Sequence, residues 1–324
     1  MKRREFITLL GGAAAWPVAA RAQQPAMPVV GYLDAGSPDA RDVVAFRKGL
    51  NEAGYLEGQN VMVEYNYGEG QYDRVPALVA DLIRRRVSVI AASGAVSALA
   101  AKAATATIPI VFGVGRDPVN LGLVASLARP GGNATGINFF SAEMTAKRLR
   151  LLHDLVPKAV RVAVLVNPAN ATSTETTSRD AQEAARALGL QIHVLNATTV
   201  GEIDAAFATL AREHTDALFV NGDGLFNSRP VQFATLTARD KIPATYDNRD
   251  TVAAGGLMSY GTDFADTSRQ VGVYTGNILK GAKPADLPVV QSTKFQFVIN
   301  LQTAHALGIE IPPAVLSIAD EVIE

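Results

Sequence analysis

The chain has 324 residues, 48% of them hydrophobic and 19% charged, with a formal net charge of −1 and no cysteine. That length suits two domains better than one core. The near-neutral charge, without a basic stripe, argues against nucleic acid as a partner, and the missing thiols exclude disulfides, cysteine nucleophiles, Fe–S clusters and cysteine-based zinc sites.

The first 22 residues read as an export signal rather than as part of a fold. Lys2, Arg3 and Arg4 form a basic start, Ile7 to Ala20 a mild apolar stretch, and Ala20-Arg21-Ala22 a small-x-small cleavage pattern. Arg3-Arg4-x-Phe6 before a weak apolar stretch reads as a twin-arginine signal; the other reading is an ordinary basic n-region. No cysteine follows the cleavage site, so no lipid anchor is expected, and no later apolar run approaches the ~20 residues of a membrane span. The expected mature protein starts near Gln23, is free in the periplasm and lacks tryptophan, because Trp16 is the only one.

Val29 to Leu33 is the first predicted strand. A helix follows with Val43, Phe46, Leu50 and Ala53 on one face and Gly54 as its stop. Val61 to Tyr67 is the second strand. Asp73 is expected to cap a helix carrying Val75, Leu78, Val79, Leu82 and Ile83 at helical spacing. Its basic end, Arg84-Arg85-Arg86, complements the helix dipole. Strands over 87–92 and 108–112 flank an Ala-rich helix, and 135–138 is a fifth strand. After a helix over 142–156, stopped by Pro157, the alternation restarts. It runs through strand 161–166, helix 178–188, strand 191–195 and the capping box Thr199-x-x-Glu202 before an amphipathic helix. Strands over 217–220, 244–246 and 257–260 complete the series. Near-continuous apolar strands alternating with helices predict parallel sheets covered on both faces.

A helix over 263–280, a Pro-containing connector, a strand over 295–299 and a helix over 301–307 remain. The expected lobe one is 27–140 plus about 262–290, and lobe two is 141–261 plus about 291–324. The chain then crosses between lobes several times, which is the geometry of a hinged clamp.

Doubly wound sheets bind ligands outside the carboxyl ends of their strands. Two facing lobes put two sets of those ends around one cleft. The candidate ligand residues are Ser37, Ser93, Gly94 and Asp117 in lobe one, Asn170, Asp223 and Tyr246 in lobe two, and Phe140 and Tyr260 at the join. Ser93-Gly94, at a helix N-terminus, suits a carboxylate; Asp117, Asp223 or Asp247 suits an ammonium. The plainer readings stand beside these. Ser and Gly at strand ends also make turns and caps, and Asp117 before Pro118 is equally a helix start. Phe139, Phe140 and Phe226 either stack a ligand or fill a core. The histidines His153, His193, His214 and His305 fall on elements or at their ends, without metal-ligand spacing. No nucleophile elbow, Walker loop or dinucleotide fingerprint is present, so neither an enzyme nor a cofactor or metal is expected.

Several segments resemble a known family. They include Pro109-Ile110-Val111-Phe112 with Arg116-Asp117-Pro118-Val119, and Leu121-Gly122-Leu123-Val124-x-Ser126-Leu127-x-x-Pro130-Gly131-Gly132-Asn133-x-Thr135-Gly136. Lys147-Arg148-Leu149-x-Leu151-Leu152, Val162-Ala163-Val164-Leu165-x-Asn167-Pro168 and Ala254 to Gly261 add to these. So do Ile278-Leu279-Lys280-Gly281-x-Lys283-Pro284 and Val298-Ile299-Asn300-Leu301-x-Thr303-Ala304. Together they are similar to the substrate-binding proteins of ABC transporters of the tryptophan-receptor type. The resemblance implies an α/β, type I periplasmic-binding-protein fold, with two Rossmann-like lobes joined by a multi-crossover hinge. It implies a monomer that delivers a small solute to an inner-membrane ABC permease. An aromatic amino acid, a branched one or another small organic acid all stay open as the solute. The alternative is the same fold serving as receptor for a membrane sensor kinase.

Overall fold

The computed structural model describes residues 27–139, 142–292 and 294–324. The export signal and Phe140 therefore lie outside the described residues. The first sheet is built by β1 (Val29–Asp34), β2 (Met62–Tyr67), β3 (Val89–Ser93), β4 (Ile110–Val114) and β5 (Ala134–Asn138), with helices α1 (Ala40–Glu52), α2 (Val75–Arg84) and α3 (Gly94–Ala104) between them. Helix α4 (Ala142–Leu155) leads into the second sheet. There β6 (Arg161–Val166), β7 (Gln191–Asn196), β8 (Ala217–Val220), β9 (Ala244–Tyr246) and β10 (Met258–Thr262) alternate with α5 (Ala171–Leu188), α6 (Val200–Arg212), α7 (Gly224–Asn227), α8 (Pro230–Asp240) and α9 (Arg249–Ala253). The chain closes with α10 (Phe264–Leu279), β11 (Val290–Gln291), β12 (Phe295–Asn300), α11 (Leu301–Ala306), α12 (Pro313–Leu316) and β13 (Glu321–Ile323).

Sheet order is β11-β5-β4-β3-β1-β2 in the first lobe and β13-β12-β10-β9-β8-β6-β7 in the second. The chain thus passes between the lobes three times, after β5, after β10 and after β11. Side chains of successive strand residues alternate between two faces. In lobe one, Leu33, Val79, Leu82, Ile90 and Phe112 form the core under α2 and α3. Tyr32, Phe46, Leu50, Val111, Val271 and Ile278 form the core under α1 and α10. In lobe two, Leu165, Phe207, Leu218, Phe233 and Tyr246 fill one side, and Leu152, Val164, Ala181, Phe219 and Phe297 the other.

The three crossings lie side by side and are tied together. The Ser292 amide donates to the Asn138 carbonyl at 2.8 Å, Thr262 Oγ1 donates to the Phe139 carbonyl at 3.1 Å, and the Asp263 amide donates to the Lys294 carbonyl at 3.1 Å. This geometry explains one departure from the all-parallel expectation. The chain re-enters lobe two beside Thr262, the last residue of β10. Strand β12 must therefore run back along β10, and it pairs with it antiparallel.

Other departures have local causes. Asp73 does not cap α2. Residues 72–74 form a single 3₁₀ turn that leads into the helix, and Arg74 occupies the N-cap without a side-chain bond. The turn after Asp117 stays a turn, because Gly122 takes the left-handed region at φ 71° and ends it. Helix α5 begins at Ala171, well before the expected start. Its first turns carry Thr172, Ser173, Thr176 and Thr177, which line the inter-lobe cleft, so no apolar period marks them. The capping box forms: Thr199 accepts from the Glu202 amide, and the Glu202 carboxylate accepts from Thr198.

Candidate functional site

In each sheet the strand order reverses at one place: beside β1 and β3 in lobe one, and beside β6 and β8 in lobe two. A crevice opens at such a switch point. Here the two crevices face one another across a cleft of about 880 Å³, at the large end of small-molecule sites.

On the lobe-one wall, Ser37, Ser93, Gly94 and Asp117 all line the cleft. Asp34, at the end of β1, accepts from the Gly36 amide at 2.7 Å. Burial pushes its carboxyl up, against hydrogen bonds from Gly36 and Ser93. Ser93 is the N-cap of α3, yet no side chain caps that helix. Gly94 has φ 78°, and a Cβ there would meet nothing within 4 Å. The first-turn amides of α3 thus face open cleft, where helix polarity favours an anion. Asp117 is turned onto its own loop, accepting from the amides of Val119 at 2.8 Å and Asn120 at 3.4 Å.

On the lobe-two wall, Asn170 and Asp223 line the cleft together. The Asp223 carboxylate is 4% exposed and fully engaged. Its Oδ1 accepts from Asn167 Nδ2 at 2.9 Å and the Leu225 amide at 3.0 Å; its Oδ2 accepts from Asn170 Nδ2 at 3.2 Å and from the Tyr72 hydroxyl, across the cleft, at 2.7 Å. Burial raises its pKa against all four bonds. Asn221 accepts from Thr177 Oγ1 at 2.9 Å and donates to Ser173 Oγ at 3.1 Å. Asp247 accepts from Asn227 and Asn248 amides at 3.3 and 3.0 Å. It leans over Gly222, where any Cβ would lie 2.3 Å from its Oδ2.

Tyr246 is a correction. Its ring is 1% exposed, 6.1 Å from the Phe233 ring in the lobe-two core, and it does not line the cleft. Strand alternation sends Tyr246 inward and leaves its neighbour Asp247 at the strand end to face the ligand space. Phe226 is likewise core, edge-on to Phe233 at 5.7 Å. Tyr260 does line the cleft at the hinge end, stacked on Phe295 at 6.3 Å. Phe139 and Phe264 meet edge-to-face at 5.3 Å beside it.

Tyr72, Asp42 and Arg148 also line the cleft, beyond the positions expected from sequence. Arg148 had a legible signal. It shares a helix face with Leu151, Leu152 and Leu155 at i+3, i+4 and i+7, a cation inside an apolar stripe. It is 4% exposed, lies 4.0 Å above the Phe219 ring and donates to the Val220 carbonyl.

Two α/β lobes with ligand crevices face to face, joined by three stitched crossings, define the type I periplasmic binding proteins. Within that class the chain belongs to the ABC transporter substrate binding protein family, whose model matches residues 35–323. It is 27% identical over 265 residues, 82% of this chain and 76% of the relative, to a tyrosine-binding protein of Clostridioides difficile. Among solved structures it is similar to an ABC domain in complex with L-Trp from Streptococcus pneumoniae. That match has 27% identity and a TM-score of 0.82, covering 91% of this chain and 99% of that one. A ligand-free, open substrate-binding protein with adhesive properties from Clostridium difficile matches at 26% identity and the same coverage, with a TM-score of 0.64. Among the described residues no helix is long and apolar enough to cross a membrane.

Proposed function

We propose that this protein is the periplasmic receptor of an ABC importer, exported by its N-terminal signal and acting as a monomer. It takes a small carboxylate-bearing solute, with aromatic amino acids as the first candidates, and delivers it to the inner-membrane permease. One observation carries this reading. The uncapped first turn of α3 on lobe one faces a wall of amides and carboxylates on lobe two, across a cleft with aromatic rings at its hinge end. A solute carboxylate takes the α3 amides, with Ser93 and Ser37 beside them. An ammonium group takes Asp247, whose two amide partners leave it acceptor capacity. An aromatic side chain lies against Tyr260 and Phe139. Asn170 and Asp223 act through the lobe-two wall they build. The known binding of tyrosine and tryptophan by relatives supports the choice of solute.

The test is direct. The chain after residue 22 has no tryptophan, so bound L-tryptophan supplies the long-wavelength emission. A saturable blue shift, matched by a rise in Tm with ligand concentration, is expected for at least one aromatic amino acid. An unshifted spectrum and Tm across the aromatic set would refute this choice of solute.

A further inference from the structure

Arg148 is a charge without a counter-ion. Of the other cleft arginines, Arg41, Arg179 and Arg249 are each paired with a carboxylate, Asp250, Asp180 and Glu321 respectively, while Arg116 is only half-buried and open to water. Arg148 is in no ion pair among the described residues, although it is 4% exposed. Its Nε is buried with no hydrogen-bond partner. Burial lowers its pKa to about 10, and only the more distant Asp247 works against that. An isolated buried cation is costly, and a guanidinium with open N–H groups is built for a planar anion. The ring of Phe219 holds one face of the group and the Val220 carbonyl takes one Nη2 N–H, which leaves the remaining N–H groups to bond in plane. The residue lines the cleft on the lobe-two side, opposite the α3 amides that already offer one anion site.

We propose that Arg148 is a specificity-determining residue that takes a second anionic group of the solute, so that the preferred ligands carry a carboxylate at each end. This rests on the reading of the cleft as a solute site. With both anion sites filled, the solute spans the two lobes and offsets the buried charge of Arg148.

The experiment is calorimetry of the mature protein with L-tyrosine and 4-carboxy-L-phenylalanine, which differ chiefly in the distal group. Wild type is expected to prefer the second by about tenfold or more, the range of a charge-assisted bidentate contact. R148M keeps the volume and the packing on Phe219 and should bring the preference near parity; R148K, a cation without the fork, should fall between. Ligand-free R148M should also melt higher than wild type, since it loses an uncompensated buried charge. Equal affinities in wild type, or a preference that survives R148M, would overturn the proposal. If neither probe binds, the amino-acid reading of the cleft fails on its own, and the melting comparison decides. A raised Tm in R148M then sustains Arg148 as a charge held for an anion, and a lowered Tm identifies it as a structural residue.

Discussion

At Asp42 the electrostatics of the cleft mouth become measurable. Its carboxyl is pushed up from 3.8 to about 8, chiefly by burial, then by Asp39, Asp34 and Asp250, with Arg41 opposing. A raised folded pKa means the folded state holds the proton more tightly. The contribution to stability is fully present below about pH 4 and is lost as pH rises through about 8. Melts of the ligand-free protein from pH 5 to 9 are therefore expected to show a falling Tm. D42N, which keeps the neutral form's shape, should flatten that slope and exceed wild type at pH 8.5. Parallel curves for the two proteins would remove Asp42 as the cause. Residues of this kind were hard to read in advance. The strand-end positions Ser37, Ser93, Gly94, Asn170 and Asp223 were legible because a doubly wound sheet fixes where its loops go. Tyr72 was not, since its value depends on a partner 151 positions away. Tyr246 differs from its expected place by one residue of strand alternation, which turns it into the core.

Elements were more legible than sites, because apolar periodicity reports burial directly. It failed where burial faced the cleft, as in the first turns of α5, and where no periodicity records orientation, as in β12. The contact between α1 and α10 was also invisible. These helices come into close contact at three glycines, two of them against backbone. A Cβ on Gly49 would lie 1.8 Å from the Arg269 carbonyl oxygen, one on Gly272 2.2 Å from the Phe46 carbonyl oxygen, and one on Gly276 2.3 Å from the Ala53 Cβ. This close pair anchors α10, the element that follows the second crossing, to lobe one. A methyl at Gly272 must push the helices apart, and overpacking of this kind costs about 1–3 kcal/mol. G272A is expected to lower the urea midpoint at unchanged slope. An unaltered midpoint would show that the helices separate freely there, and the same change at Gly54, where a Cβ meets nothing but φ is 83°, separates strain from crowding.

At the scale of the whole molecule, the lobes stand nearer the arrangement of a ligand-bound relative than that of an open one. The chain superposes better on the L-Trp complex than on the open ligand-free relative, 0.82 against 0.64, at nearly equal identity and equal coverage. Polar contacts span the cleft, and two of them differ in weight. Arg41–Asp250 at 2.9 Å joins side chains 48% and 37% exposed, and such a surface pair contributes little. Tyr72–Asp223 at 2.7 Å is different: it is largely sequestered from water, charge-assisted, and backed by the packing of Gly70 on Leu225 and of Gly36 on Gly224. It uses no atom of the solute, so it stabilises closure whatever is bound. Closing equilibria set by such a contact scale every affinity by the closed fraction. Tyr72→Phe removes the donor while Asp223 keeps Asn167, Asn170 and the Leu225 amide, so the fold survives. The loss should be about 1–1.5 kcal/mol, about a fivefold to tenfold weaker Kd, alike for every solute tested. Small-angle scattering of the ligand-free variant should give a larger radius of gyration than wild type, and a saturating ligand should bring the two together. A penalty that differs between solutes would instead make Tyr72 a ligand contact, and an unchanged radius with unchanged Kd would mean that packing alone holds the lobes shut.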